Sequence, residues 1–183
     1  MTKAVIFDMF ETLITHFKSP LYFGKQIAAD MDIPEVKFRE IWDTTDDART
    51  IGKMTLEEVF EKLKKKGYKI GLISNCYFEE AAVIKDSVLW HYFDVVCLSC
   101  EQGVAKPEEK IFDRCIEQLD VTYEECLYVG DGGSYELETA KKLGMKPVQA
   151  VWYLQQGSKQ PTWRKPEFWQ AESPLEIMKY LAK

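Results

Sequence analysis

The chain has 183 residues, with 24 Lys+Arg against 30 Asp+Glu for a formal charge of −6, and 46% of it is hydrophobic. That length and apolar content support one domain with a sizeable core and exclude a disordered chain. The acidic balance gives little electrostatic reason to bind nucleic acid or an anionic membrane, no stretch approaches the ~18–20 apolar residues of a membrane span, and Asp8 falls where a signal peptide would be apolar, so a cytoplasmic protein with neither partner is expected.

In chain order, residues 4–7 form an apolar run closed by Asp8, and residues 70–73, 95–98, 127–129 and 148–151 repeat the type. Uninterrupted apolar runs predict strands buried on both faces, the habit of parallel sheets. Residues 15–61 break the pattern: they hold Pro20, Pro34, helical spacing over 22–31 and 36–42, and an acidic patch over 43–47. This predicts a helical insert or a long elaborated crossover. Leu56, Val59, Phe60 and Leu63 then make a helical stripe, with Thr55 and Glu58 as a capping box and Gly67 beyond its end. The basic run 62–66 reads as that helix's solvated end.

Further along, residues 79–85 read as a crossover helix, and Ile111, Phe112, Cys115, Ile116 and Leu119 as a helical stripe. Another helix is predicted over 134–143, stopped by Gly144, and a closing helix after Pro174. Alternating strands and helices predict an α/β fold with a doubly wound parallel sheet. Residues 1–14 and 62–183 form the expected core and 15–61 the insert.

Five cysteines, an odd number, do not form a disulfide framework and are expected to be reduced. Cys97-Leu-Ser-Cys100 has CxxC form but no second pair to complete a zinc site, so buried thiols are the expectation. Aromatic residues gather after position 150 (Trp152, Tyr153, Trp163, Phe168, Trp169), as cover for a sheet edge, an oligomer contact or a substrate platform. No signal for the oligomeric state is present.

In an open parallel sheet, ligands bind beyond the carboxyl ends of the strands. Asp8 closes the first strand, Ser74-Asn75 the second, and Gly130-Asp131-Gly132-Gly133-Ser134 follows residues 127–129, while Lys106 sits in a loop before Pro107. Two carboxylates converging at one rim call for a cation with oxygen ligands such as Mg2+. Lys106 would neutralise a phosphoryl oxygen, and Ser74 with the N–H groups of Gly132 and Gly133 would donate hydrogen bonds to it. Singly, each residue has a plain turn or surface role.

Four stretches in order, Phe7-Asp8-Met9-Phe10-Glu11-Thr12, Leu72-Ile73-Ser74-Asn75, Lys106-Pro107-Glu108 and Val129-Gly130-Asp131 with Glu136 after it, resemble the motifs of the haloacid dehalogenase-like hydrolase superfamily. The resemblance implies a Rossmann-like core with a helical cap between the first two motifs, so residues 15–61 would be that cap, small and short for four helices: either a segment is missing near Glu61-Lys62, or a compact insert runs its last helix straight into the core. It implies that Asp8 is a nucleophile forming an aspartyl-phosphate, with Thr12, Ser74, Asn75 and Lys106 in the catalytic set. Ser74, Asn75, Lys106 and Gly132 would bind the phosphate, and Asp8, Asp131 and the Phe10 backbone carbonyl would hold Mg2+.

One departure matters. Phosphatases of that superfamily usually carry a general acid two residues after the nucleophile, where this chain has Phe10. Dehalogenases also lack that acid, but they usually lack the Asp131 equivalent as well. The expected function is therefore a Mg2+-dependent hydrolase of a small phosphorylated molecule, with His16 or Glu11 as candidate replacement acids. The alternatives are a metal-independent 2-haloacid dehalogenase and a catalytically weak phosphate-binding or regulatory module.

Overall fold

A computed structural model describes residues 1–14, 46–154 and 162–182 of the chain. The expected helices over 22–31 and 36–42, and His16, lie outside the described residues.

The strands are β1 (Ala4–Phe7), β2 (Lys69–Ser74), β3 (Val95–Leu98), β4 (Cys126–Gly130), β5 (Lys146–Ala150) and β6 (Trp169–Ala171). They form one sheet in the order β3-β2-β1-β4-β5-β6, with every neighbouring pair parallel. The helices are α1 (Asp46–Lys65), α2 (Phe78–Lys85), α3 (Ser99–Gln102), α4 (Glu109–Leu119) and α5 (Glu136–Leu143), and a 3-10 helix spans Pro174–Tyr180.

The apolar runs become strands because both of their faces are covered. Along β1, Val5 and Phe7 face one core cluster and Ala4 and Ile6 the other. The first cluster holds Leu56, Val59, Phe60 and Leu63 of α1, Ala81 and Ile84 of α2, and Ile177 of the closing 3-10 helix. The second holds the α4 stripe predicted from sequence together with Leu137 and Ala140 of α5. The result is an α/β/α sandwich. Phe60 is the knot of the first layer, with ring centroids 5.0 Å from Phe7, 5.5 Å from Tyr92 and 5.6 Å from Phe93, and such pairs add to the burial term.

The expected boundary between residues 61 and 62 falls inside α1, which runs unbroken through Glu61 and Lys62. Leu56, Val59, Phe60 and Leu63 are buried in the same core cluster as the sheet's residues, so this face of the helix packs on the core. The helix expected over 134–143 begins at Glu136, because Tyr135 adopts a left-handed conformation (φ 55°) that ends the preceding turn, and Gly144 (φ 101°) stops it as predicted. The closing segment is a 3-10 helix. β6 has no counterpart in the sequence reading, being three residues with little apolar character. Among the described residues no helix is long and apolar enough to cross a membrane.

Candidate active site

The carboxyl ends of β1, β2 and β4 and the loop after α3 meet at one rim. There Asp8, Phe10, Glu11, Asn75, Lys106, Asp131, Gly133 and Ser134 line a cavity of about 140 Å³. Asp8 extends β1 by one rung, since its N–H donates to the Val129 carbonyl at 2.9 Å. The residue is 5% exposed, and its side chain forms a buried ion pair with the Lys106 ammonium. Thr12, fully buried, reaches Asp8 Oδ2 at 3.4 Å, the outer limit of a hydrogen bond.

The other acids complete a cluster. Asp8, Asp131 and Glu136 are all buried, and each offers a carboxylate oxygen within 4.8 Å of the others. Burial and the neighbouring carboxylates push the Asp8 carboxyl up to about 6, against the pull of Lys106, and push Asp131 up to about 8. Burial alone would lower Lys106, but Asp8 and Glu136 outweigh it and hold its ammonium above the usual range. One ammonium among three buried carboxylates leaves the site short of positive charge. An all-oxygen donor set in that condition fits a hard divalent cation.

The structure places Asp8, Asn75, Lys106 and Asp131 in the lining of one cavity, Thr12 beside Asp8 and Ser74 at the end of β2, and it gives Asn75, Gly132 and Gly133 partners within the protein. The Asn75 carboxamide donates to the Lys106 carbonyl at 2.9 Å and accepts the Lys106 N–H at 2.8 Å, so it positions the lysine. The Gly132 N–H donates to Glu136 Oε1 at 2.7 Å and the Gly133 N–H to Asp131 Oδ1 at 3.0 Å. The expectation that Gly132 and Gly133 present N–H groups to a phosphoryl oxygen is thereby corrected: the acids of the same loop already take them. Ser74 behaves in the opposite way. Its hydroxyl is fully buried at the end of β2 and has no hydrogen-bond partner among the described residues, a condition that costs about 1–3 kcal/mol unless something fills it.

Beyond Glu136, the acid that follows the fourth stretch in the sequence, three supports of this site carry no sequence assignment: Gln149, Thr162 and Lys165. Glu136, fully buried, accepts the N–H groups of Gly132 and Ser134, both at 2.7 Å. Gln149 of β5 donates through Nε2 to the carbonyls of Asp131 (2.9 Å) and Trp163 (2.7 Å) and accepts the Lys165 N–H at 2.8 Å. Thr162 adds a second donor to the Asp131 carbonyl at 3.2 Å, and Lys165 Nζ donates to the Gly132 carbonyl at 2.9 Å. The segment 162–165 thus clamps the Asp131 loop from outside. Gln149 did carry a signal, being a polar residue inside an otherwise apolar buried strand. Thr162 and Lys165 carried none. On the other flank, Trp152 Nε1 donates to the Thr12 carbonyl at 2.9 Å, fastening the loop after β1.

This arrangement matches a known family. A family model for haloacid dehalogenase-like hydrolases covers residues 23–144, about two thirds of the chain. The chain belongs to the haloacid dehalogenase-like hydrolase family. The matched span takes in Ser74, Lys106, Asp131 and Glu136, while Asp8 precedes it. Over 101 residues the chain is 33% identical to pyrophosphatase PpaX of Bacillus mycoides, covering 55% of this chain and 46% of that protein. It is 35% identical over 88 residues to glyceraldehyde 3-phosphate phosphatase of Pyrococcus furiosus, covering 48% and 37%. The chain spans about half the length of the curated relatives it matches. In fold it resembles a haloacid dehalogenase-like phosphatase from Thermococcus onnurineus, with a TM-score of 0.68 at 23% identity over 98% of both chains.

Proposed function

We propose that this hydrolase removes phosphate from a small phosphorylated molecule, using Asp8 as nucleophile and Mg2+ as cofactor. The observation that carries the reading is a buried carboxylate paired with Lys106 on one side and crowded by Asp131 and Glu136 on the other. Asp8, Asp131 and the Phe10 carbonyl would hold the metal, with Glu136 ordering the loop that presents Asp131. Bound there, Mg2+ would neutralise charge on the phosphoryl oxygens.

The chain's own groups do the rest. An Asp8 carboxylate oxygen attacks phosphorus in line with the departing oxygen, forming the aspartyl-phosphate as the ester bond breaks, and water then cleaves the acyl-phosphate to regenerate Asp8 and release phosphate. Lys106 offsets the charge on the transferred group, and the orphaned Ser74 hydroxyl donates to one of its oxygens, which would satisfy a buried group the apoprotein leaves open. Asn75 keeps Lys106 in place. Phe10 lines the cavity but has no proton to give. Without a general acid the reaction forfeits ~10²–10⁴ in rate, so esters with good leaving groups are the preferred substrates. Glu11, buried and lining the same cavity, is the described candidate for a replacement acid.

The names of the relatives, a pyrophosphatase and a sugar-phosphate phosphatase, support the substrate class. The segment 15–61 is assigned as the cap that selects the substrate, with α1 from Leu56 onward as its base on the core. A second reading, a phosphate-binding module with weak turnover, is favoured by Phe10 alone. A metal-independent dehalogenase would leave the acid cluster of Asp131 and Glu136 without a task. The deciding experiment is hydrolysis of para-nitrophenyl phosphate with and without Mg2+, in the wild type and Asp8→Asn. Mg2+-dependent turnover that the substitution abolishes supports the proposal. Equal turnover by both proteins, or none with Mg2+ present, overturns it.

A further inference from the structure

In sequence, Cys97-Leu-Ser-Cys100 reads as one CxxC unit, and the fold takes it apart. Cys97 is buried in the cluster beneath α4, where it hydrogen-bonds Cys115. Cys100 packs against the opposite cluster, and its Sγ lies 3.8 Å from that of Cys76. The second pairing is built into the sheet. Ser74 and Leu98 occupy the same rung of the β2–β3 ladder, so Cys76 and Cys100 each stand two residues past it. Between them the Ser99 hydroxyl accepts the Cys76 N–H at 3.0 Å and donates to the Cys76 carbonyl at 3.2 Å, which ties the two backbones together. Both thiols are half-buried, whereas Cys97, Cys115 and Cys126 are fully buried, so these two are the cysteines that a dissolved reagent reaches.

We propose that Cys76 and Cys100 form an oxidant-responsive pair that closes into a reversible disulfide at the edge of the active site. With hydrogen peroxide as oxidant, one sulfur attacks a peroxide oxygen, giving a sulfenic acid and one water. The second thiol then displaces the sulfenic oxygen as a second water, and two electrons pass from the sulfurs to the peroxide. Both thiols are half-buried, so either can meet the peroxide first and the other resolve. Closing a 3.8 Å contact to a bond of about 2.05 Å draws Cys76 toward α3. Its neighbour Asn75 grips Lys106 at both backbone groups, so the pull is delivered to the lysine that pairs with Asp8.

The test treats the reduced full-length protein with hydrogen peroxide, blocks remaining thiols by alkylation and maps peptides without reduction. The expected product is a cross-linked peptide pair carrying Cys76 and Cys100, released by dithiothreitol. Turnover of para-nitrophenyl phosphate should fall by roughly tenfold on oxidation and recover on reduction, well within the ~10² that a 1 Å misplacement in a site costs. Cys76→Ser and Cys100→Ser should each keep basal turnover and lose the response. Absence of the cross-link, or a cross-link with turnover unchanged, overturns the proposal. The activity arm rests on the phosphatase reading, but the peptide map does not: a protein that hydrolyses nothing fails that reading alone. In that case the Mg2+-induced rise in melting temperature replaces turnover, and its loss on oxidation is the expected result, its persistence the refuting one.

Discussion

Replacing Gly130 with alanine probes how the site is held with a single methyl group. Gly130 closes β4 outside the left-handed region, so alanine is not strained by its backbone there. The added Cβ would stand 2.9 Å from Glu136 Oε1, 3.2 Å from its Cγ and 3.1 Å from Cε1 of the buried Tyr128. Contacts below 3 Å do not survive, and the Glu136 carboxylate is the movable partner. Oε1 is also the atom that accepts the Gly132 N–H at 2.7 Å. Moving it forfeits a charge-assisted hydrogen bond worth about 1.5–3 kcal/mol. At ~2–4 °C per kcal/mol for a domain of this size, the melting temperature should fall by roughly 3–12 °C. Because the bond orients the loop that carries Asp131, Mg2+ affinity should fall ~10–100-fold as well. Thermal unfolding by circular dichroism, repeated across a Mg2+ titration, measures both. In a Glu136→Ala background the same glycine substitution should cost much less, since only the 3.1 Å approach to Tyr128 then remains. A single variant melting within about 1 °C of wild type, or an undiminished cost in the Glu136→Ala background, would refute the argument.

Gln149→Leu keeps the volume of the β5 residue but leaves the carbonyls of Asp131 and Trp163 and the Lys165 N–H without this partner; a loss of about 2–4 kcal/mol in chemical denaturation is expected, and Gln149→Glu should not restore the wild-type midpoint because it removes the donor. Stability should also depend on pH in a defined sense. The folded-state values of Asp8 (about 6) and Asp131 (about 8) lie above the ordinary carboxylate value, so the folded protein binds more protons than the unfolded one from about pH 4 to 8. Metal-free stability should therefore decline as pH rises across that window, and the stabilisation by Mg2+ should be larger at pH 8 than at pH 5.5; a metal-free melting temperature that climbs from pH 5 to 8 would contradict the electrostatic picture. Finally, Phe10→Asp places a carboxylate at the cavity wall, and para-nitrophenyl phosphate being already a good leaving group, turnover should gain most on alkyl phosphates, by up to ~10²-fold; equal effects on aryl and alkyl esters would show that leaving-group protonation is not what Phe10 withholds.

The parts of the fold that were legible in the sequence are those set by local pattern. The runs beginning at Ala4, Ile70, Val95 and Leu127 became parallel strands because they have no polar face to expose, and the α4 stripe from Ile111 to Leu119 was readable for the same reason. The chemistry of the rim was legible because Asp8, Ser74, Lys106 and Asp131 each sit where a strand or loop delivers a side chain to the sheet's carboxyl end. What stayed hidden depended on long-range geometry. The use of the Gly132 and Gly133 amides follows from how the 130–136 turn closes on its own acids, which no spacing reveals. β6 and the clamp at Thr162 and Lys165 are defined by their seat against β5. The nearness of Cys76 to Cys100 was hidden for the same reason: residues 97 and 100 pack against opposite core clusters, and the contact joins two different strand ends.

The pairing of β1 with both β2 and β4 has a bearing on when the site comes into being. Asp8 and Lys106 are 98 positions apart, and the N–H of Asp8 is held by a β4 carbonyl. Asp8 precedes Lys106 in the chain and can pair with it only after those intervening residues have followed. Contacts of such sequence separation carry a large closure entropy and form late. No early folding species pairs these two side chains, and on the proposed function a divalent cation titrated onto the three acids would double as a gauge of whether the central ladder is complete.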